Sequence, residues 1–324
     1  MNSLGIGIVH GYLSGAKDRL PARKGIRVFC YHGVVQTKKD PLLERNFQLL
    51  SQFRSQVRFL RQFRVLRLDE LVDELTRPTI SKRPAVVITF DDGFANTIQA
   101  AEILNENRLP WALFVSTGVV GKKRIHWIEE LTLSLLHGQG MQIELFGQTW
   151  SLISRVNREL AYQAILLKMK ALSAGQRKDV LREFRRQFPF DETKRLLEMF
   201  PSLHRLTWDE IGAMASSGVE IGSHGIQHEI HHEKQSEKTL RQELILSKQE
   251  LEERLGRLCL YFAFPNGNFL PTSSVEIQRA GYRMAFTMQS KTITSNTDPH
   301  LVPRLYAHGS LRSFIRSFYW MQKR

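Results

Sequence analysis

Val86-Val87-Ile88-Thr89-Phe90-Asp91-Asp92-Gly93-Phe94-Ala95-Asn96 is the stretch whose reading decides the fold. Residues Ala85 to Thr89 form a short β-branched apolar run behind the breaker Pro84, the pattern of a buried strand. The run stops at two adjacent carboxylates. Gly93 permits a sharp turn, and Asn96-Thr97 offers a helix start. Adjacent side chains at a strand end point in different directions. Asp91 and Asp92 can therefore do different work, one holding a metal and the other facing a reacting water. Taken alone, Asp-Asp-Gly is as well explained by a turn carrying two solvated acids.

The motif has company. A second strand-like run, Val219 to Ser223, ends at His224, and His228 lies four residues on. One carboxylate and two imidazoles give three protein ligands with room for water, the composition of a catalytic divalent-metal site. The neighbouring His231 and His232 are alternative ligands or a solvated cluster; position favours His224 and His228. A third run, Leu260 to Phe264, ends at Pro265-Asn266-Gly267. In parallel α/β folds, active sites gather at the carboxyl ends of strands.

In this ordered set the chain resembles the polysaccharide deacetylases of the NodB-homology type, carbohydrate esterase family 4. Thr89-Phe90-Asp91-Asp92-Gly93-Phe94 is similar to the family's first motif, Gly222-Ser223-His224-Gly225-Ile226-Gln227-His228 to its second, and Phe262-Ala263-Phe264-Pro265-Asn266-Gly267 to its third. Ala280-Gly281-Tyr282, Ala285-Phe286-Thr287 and Pro303-Arg304 resemble the later strands. The resemblance extends from about Ile26 to Arg304 and implies an α/β fold, a distorted (β/α) barrel. It implies Asp92, His224 and His228 as metal ligands and Asp91 as general base. It implies a backbone N–H at Asn266, after the third-motif proline, as oxyanion donor. The metal it implies is one divalent ion, zinc by default, with cobalt, nickel or iron also suited to the donor set.

Three departures from the family pattern stand out. Gly225 follows the first motif histidine where Ser or Thr is usual, so a local hydrogen bond is expected to be lost. Ala263 stands where many members place an arginine that orients the base; Arg304 is the replacement on offer. The usual Leu-His that protonates the leaving amine has no counterpart, which leaves His32, from the Tyr31-His32 pair, and His308 as candidate acids.

The length of 324 residues suits one large barrel, and 42% hydrophobic residues supply a sizeable core. Cys30 and Cys259 lie in apolar runs, which favours buried free thiols over a disulfide and points to a reducing compartment. The first 20 residues lack a basic start and are broken by His10 and glycines, a poor signal peptide, and no run is long enough to span a bilayer. The expectation is a cytoplasmic protein, possible peripheral contact with the inner membrane face included.

Net charge is +14 and uneven. Residues 1–84 carry 16 Lys and Arg against 7 Asp and Glu, whereas residues 85–121 carry 1 against 4. The basic surface suits nucleic acid, anionic lipid or an anionic glycan carrier. No aromatic-basic RNA motif is present, so no nucleic acid partner is expected.

Division of the chain follows the motifs: an N-terminal segment over 1–25, the barrel over 26–310 and a basic-aromatic tail over 311–324. An insertion at about 121–206 interrupts the barrel. It is rich in helix formers, with short strands near 142–146 and 149–153, and is placed to roof the site. In it, Trp127 either stacks on a sugar or belongs to a core. The spacing of Leu49, Leu50, Phe53, Val57 and Leu60 predicts a helix over Phe47 to Phe63, with Arg54, Arg58 and Arg61 on another face. Leu311, Phe314, Ile315 and Phe318 also recur at helical spacing, as a helix closing the barrel or as an interfacial one.

The function expected is hydrolytic removal of an N-acetyl group from an amino sugar of a bacterial surface polysaccharide or its lipid- or nucleotide-linked precursor, the substrate being an N-acetylated glycan or glycolipid. A deformylase or another amide hydrolase uses the same chemistry. A non-haem iron oxygenase also uses two His and one carboxylate, but on a jelly roll and in another order. A glycan- or nucleic-acid-binding protein without catalysis leaves the Asp-Asp and His-His pairs unexplained.

Overall fold

The computed structural model describes residues 25–77, 83–121, 125–291, 293–307 and 309–320. The strands are Ile26–Tyr31 (β1), Gly33–Val35 (β2), Phe47–Leu49 (β3), Arg64–Val65 (β4), Ala85–Phe90 (β5), Ala112–Val115 (β6), Gln142–Leu145 (β7), Gln148–Ser151 (β8), Glu220–Ser223 (β9), Tyr261–Ala263 (β10), Met284–Phe286 (β11) and Leu305–Tyr306 (β12). The α-helices are Leu50–Leu60 (α1), Leu68–Thr76 (α2), Thr97–Glu106 (α3), Trp127–His137 (α4), Arg155–Lys170 (α5), Ala174–Gln187 (α6), Phe190–Met199 (α7), Trp208–Ser216 (α8), Glu237–Leu255 (α9), Ser273–Arg279 (α10) and Leu311–Trp320 (α11).

Eight strands form one sheet in the order β11-β10-β9-β6-β5-β1-β12, with β4 paired to the start of β5. Every pairing in it is parallel. Between β11 and β12 the sheet is joined only by an isolated bridge from Phe286 to Val302, so the barrel closes incompletely. This is the distorted (β/α) barrel expected from the motifs.

All six residues of β1 and of β5 are buried, as parallel strands covered on both faces must be. Their side chains alternate between two cores. Phe29, Tyr31, Ile88 and Phe90 pack outward against helix residues such as Phe53 and Leu104. Val28, Val87, Phe114, Ala263 and Phe286 fill the barrel interior. By the same alternation Thr89 and Asp91 share the interior face with Val87.

The helix expected over Phe47 to Phe63 is shorter. Phe47–Leu49 is a strand paired with Gly33–Val35, and the helix runs over Leu50–Leu60. Phe47 finds a partner in the ring of Phe94, 4.8 Å away, so tertiary packing overrides the helical period there. Helix α8 opens with a capping box between Thr207 and Glu210. Helix α9 is capped by Ser236 and ended by Gly256 at φ 64°.

Residues 121–206 hold α4 to α7 and the antiparallel hairpin β7-β8. They have a core of their own around Leu131, Tyr162, Ile165 and Phe184. Trp127 is part of it, 6% exposed with the Arg177 guanidinium over its ring, so it stacks on protein and not on a sugar. Both cysteines are buried free thiols. The N-terminal segment up to residue 24 and the last four residues lie outside the described residues. Among the described residues no helix is long and apolar enough to cross a membrane.

Candidate active site

Sheet register brings the motif residues together. Pairing of Tyr31 with Phe90 sets His32 beside Asp91. Pairing of Val115 with Ser223 lets the His224 N–H donate to the Val115 carbonyl at 2.8 Å. Ser223 pairs in turn with Phe262, which brings the Pro265-Asn266-Gly267 turn to the same end of the sheet.

Left-handed backbone, rare outside glycine, is concentrated here. Among the described residues Asp92 (φ 72°), His228 (φ 56°) and Asn266 (φ 56°) adopt it, with only Arg108 and Phe146 elsewhere. Such conformations cost energy and persist where surrounding structure enforces them. At Asp92 the reversal turns the second carboxylate away from the direction of Asp91.

The two carboxylates keep different company. Asp91 is 3% exposed. It receives Arg304 Nη1 on one oxygen and Nη2 on the other, both at 2.7 Å, and the Cys30 thiol donates to Oδ2 at 3.3 Å. Burial pushes its carboxyl up, but the charge and hydrogen bonds of Arg304 together with the nearby His224 and His32 outweigh this and hold it below the usual carboxylate value. Arg304 also donates to Thr89 Oγ1 and to the Thr287 carbonyl. It thus stands where Ala263 offers no side chain.

Asp92 Oδ1 faces Nε2 of His224 at 3.3 Å and Nε2 of His228 at 3.5 Å. The three donor atoms lie within 4.8 Å of one another. Bonds of about 2.0–2.1 Å to a tetrahedral zinc put neighbouring donors about 3.3–3.4 Å apart, so the set fits a divalent ion. The other ring nitrogen of His224, Nδ1, contacts the Ala263 carbonyl at 2.8 Å, which fixes its orientation and leaves Nε2 to the site. Burial drives the His228 pKa down to about 3. Burial also opposes charge on His224, but Asp91 and Asp92 outweigh it and raise its pKa.

His231 and His232 are not part of this group. His231 is buried with its ring 5.1 Å from Phe264, and His232 Nε2 contacts the Leu172 carbonyl. His32 Nε2 lies 3.9 Å from Asp92 Oδ2. His308 lies outside the described residues. Asn266 sits in the third-motif turn, its Oδ1 accepting from Lys170 Nζ of α5 at 2.7 Å.

The loss expected at Gly225 is made good by other groups. Its N–H donates to Ser223 Oγ at 3.1 Å. Glu243 Oε2 accepts the N–H groups of Ile226 and Gln227 at 2.7 and 3.1 Å. At φ 77° a Cβ here would sit 2.6 Å from that same oxygen. Glycine is therefore what lets Glu243 hold the turn between the two histidines.

Sequence reasoning missed Glu243, Cys30 and a group from the two ends of the 121–206 segment. The C-terminal end pairs with the Asp-Asp loop, Leu206 N–H donating to the Gly93 carbonyl and Ala95 N–H to the His204 carbonyl, while Gly121 N–H joins the other end to the Leu206 carbonyl. They bring His126, Glu129 and Arg205 to the site. No spacing marks these residues, since 79 positions separate His126 from Arg205 in the chain.

The family model for polysaccharide deacetylase matches residues 79–285. The fold is similar to that of the Streptococcus pyogenes deacetylase PplD in complex with acetate, at 16% identity over 90% of this chain and 97% of that one, TM-score 0.58. It is similar to IcaB from Ammonifex degensii, at 18% identity over 92% and 97%, TM-score 0.58. A de-N-acetylase from Aggregatibacter actinomycetemcomitans aligns at 16% identity over 90% and 99%, TM-score 0.54. At such identities the likeness is one of fold. No curated protein sequence matches the chain.

Proposed function

The chain belongs to the polysaccharide deacetylase family, and from that premise we propose that it is a metal-dependent hydrolase acting on an amino sugar. It removes an N-acetyl group from a bacterial surface polysaccharide or from its lipid- or nucleotide-linked precursor. One observation carries the reading: of two adjacent carboxylates, Asp91 is clamped by Arg304 while Asp92 faces two imidazole nitrogens.

Asp92, His224 and His228 would hold the ion, zinc by default, or cobalt, nickel or iron. Bound there, it supplies Lewis-acid polarisation of the scissile carbonyl and of the attacking water. Asp91, ionised at neutral pH, takes the water proton as general base, and Arg304 fixes its orientation through two parallel hydrogen bonds. The backbone N–H of Asn266 donates to the developing oxyanion. The placement of His32, its Nε2 3.9 Å from Asp92 Oδ2, supports it as the acid that returns a proton to the leaving amine.

Peripheral membrane contact is part of the proposal in reduced form. Phe314 and Phe318 are fully buried against Phe29, Phe59 and Phe63, so these rings belong to the core and not to a headgroup layer. What remains is charge: α11 packs beside α1, and Arg54, Arg58, Arg61, Arg312 and Arg316 are exposed on the pair.

Mass spectrometry of glycan intermediates from cells with and without the gene tests the reaction. A difference of one acetyl group supports the proposal. A difference of one formyl group replaces it with the deformylase reading, and identical glycans overturn both.

A further inference from the structure

The mechanism above leaves one buried side chain beside the ion site unused. His126 is 3% exposed, and neither of its ring nitrogens has a hydrogen-bond partner. An imidazole shut away from water with both nitrogens idle bears a desolvation cost that no hydrogen bond offsets, and such a group calls for a reason. His126 precedes α4, and its side chain makes no cap for that helix, so helix capping is not the reason.

Its surroundings point to the site. The ring centroid is 5.0 Å from that of His228. Arg205, His228, Asp92 and His224 are the charged or titratable groups that face it. Behind it, Arg205 Nη2 pairs with Glu129 Oε2 at 3.2 Å and the Arg205 guanidinium lies over the Phe94 ring, 3.7 Å from its centroid. Glu129 and Arg205 form this ion pair, and neither is hydrogen-bonded to the imidazole. Nor does His126 join the group of donor atoms formed by Asp92, His224 and His228. It is a polar side chain at the wall of the ion site that bonds nothing among the described residues.

We propose that His126 hydrogen-bonds the acyl group of the substrate, and afterwards the carboxylate of the released acid, within the pocket formed with His228. This rests on the deacetylase reading for the identity of the acyl group. The acyl group must lie between the base Asp91 and the Asp92–His224–His228 set to react. His126 borders that space from the 121–206 side, so this segment supplies part of the acyl pocket. A neutral imidazole keeps one N–H donor, which the amide carbonyl and then the carboxylate can each accept.

Acetate is the probe, because it is the acid that N-deacetylation releases. Calorimetric titration of acetate into the zinc-loaded protein should give an affinity that falls about tenfold or more in His126→Ala, the worth of one hydrogen bond to a charged group. His126→Gln, which keeps a donor and an acceptor, should recover much of it. Zinc content, and the visible absorption of the cobalt-loaded protein, should be the same in all three. Equal acetate affinity in wild type and His126→Ala overturns the proposal, as does wild-type protein that binds no acetate. Lost metal, or an altered cobalt spectrum in both variants, overturns it by making His126 a ligand. The deacetylase reading fails separately, on glycan mass differences, since acetate binding is measured without turnover.

Discussion

Arg304 grips Asp91 across 213 residues of sequence, with one guanidinium nitrogen 2.7 Å from each carboxylate oxygen. Both side chains are buried. An isolated carboxylate in that interior would take up a proton; the fixed cation keeps it ionised. The base is thus made usable by a residue that belongs to a different strand end.

Arg304→Ala should strand the Asp91 charge and destabilise the fold by about 3–5 kcal/mol, the usual cost of removing one partner of a buried pair. Arg304→Lys keeps the charge but loses the fork and should fold better than the Ala variant. With the cation less well placed, the Asp91 pKa rises. The acid limb of the kcat/KM profile should then move to higher pH in Arg304→Lys. Thermal melts and pH–rate profiles check both; an unmoved acid limb would separate Arg304 from the base.

Exchange of the two acids should split metal from turnover. Asp91→Asn should retain the ion and lose several orders of magnitude in kcat, because base and water activation fail together. Asp92→Asn should lose the ion. Elemental analysis beside a turnover assay decides it, and the opposite pattern would swap the two roles.

Metal content should be about one divalent ion per chain, falling sharply in His224→Ala and His228→Ala. Binding should also weaken on acidification. The carboxylates raise the His224 pKa above its ordinary 6.5, and a ligand imidazole must be neutral. Affinity should therefore be full above that raised pKa and decline as pH falls through it, with the decline already under way at pH 6.5. Equilibrium dialysis across pH 5.5–8.5 measures this; flat affinity over that range would remove His224 from the ligands.

Gly225→Ser, which restores the commoner family residue, should harm this chain. A side chain at φ 77° is strained by about 1–3 kcal/mol, and its Cβ would press on the Glu243 oxygen that holds Ile226 and Gln227. Lower melting temperature and weaker metal retention are expected. Wild-type values for both would show that the turn has room after all.

Anionic vesicles should bind the protein weakly at low salt and release it as salt screens the attraction. Charge reversal at Arg54 and Arg58, exposed on α1, and at Arg61, exposed just beyond it, should reduce co-sedimentation with anionic vesicles and leave neutral ones unaffected. Equal binding to neutral and anionic vesicles would discard the contact.

The sequence by itself determined where the motif-bearing strands run and what stands at their ends. A run such as Ala85 to Thr89 is legible because β-branched burial, a preceding proline and a following Asp-Asp-Gly are all local. So was the His224–His228 spacing. Only the tertiary structure decided what those residues face. Arg304 reaches Asp91 because β12 returns to the edge of β1, a pairing no local pattern encodes. His126, Glu129 and Arg205 meet because residues 204–206 pair with the Asp-Asp loop and Gly121, at the other end of the segment, bonds Leu206. Phe47–Leu49 became a strand because Gly33–Val35 lay open beside it, though its spacing read as helix. Periodicity reports which face a residue takes; the partner on that face is set by long-range packing, and charge, protonation and ligand geometry follow the partner.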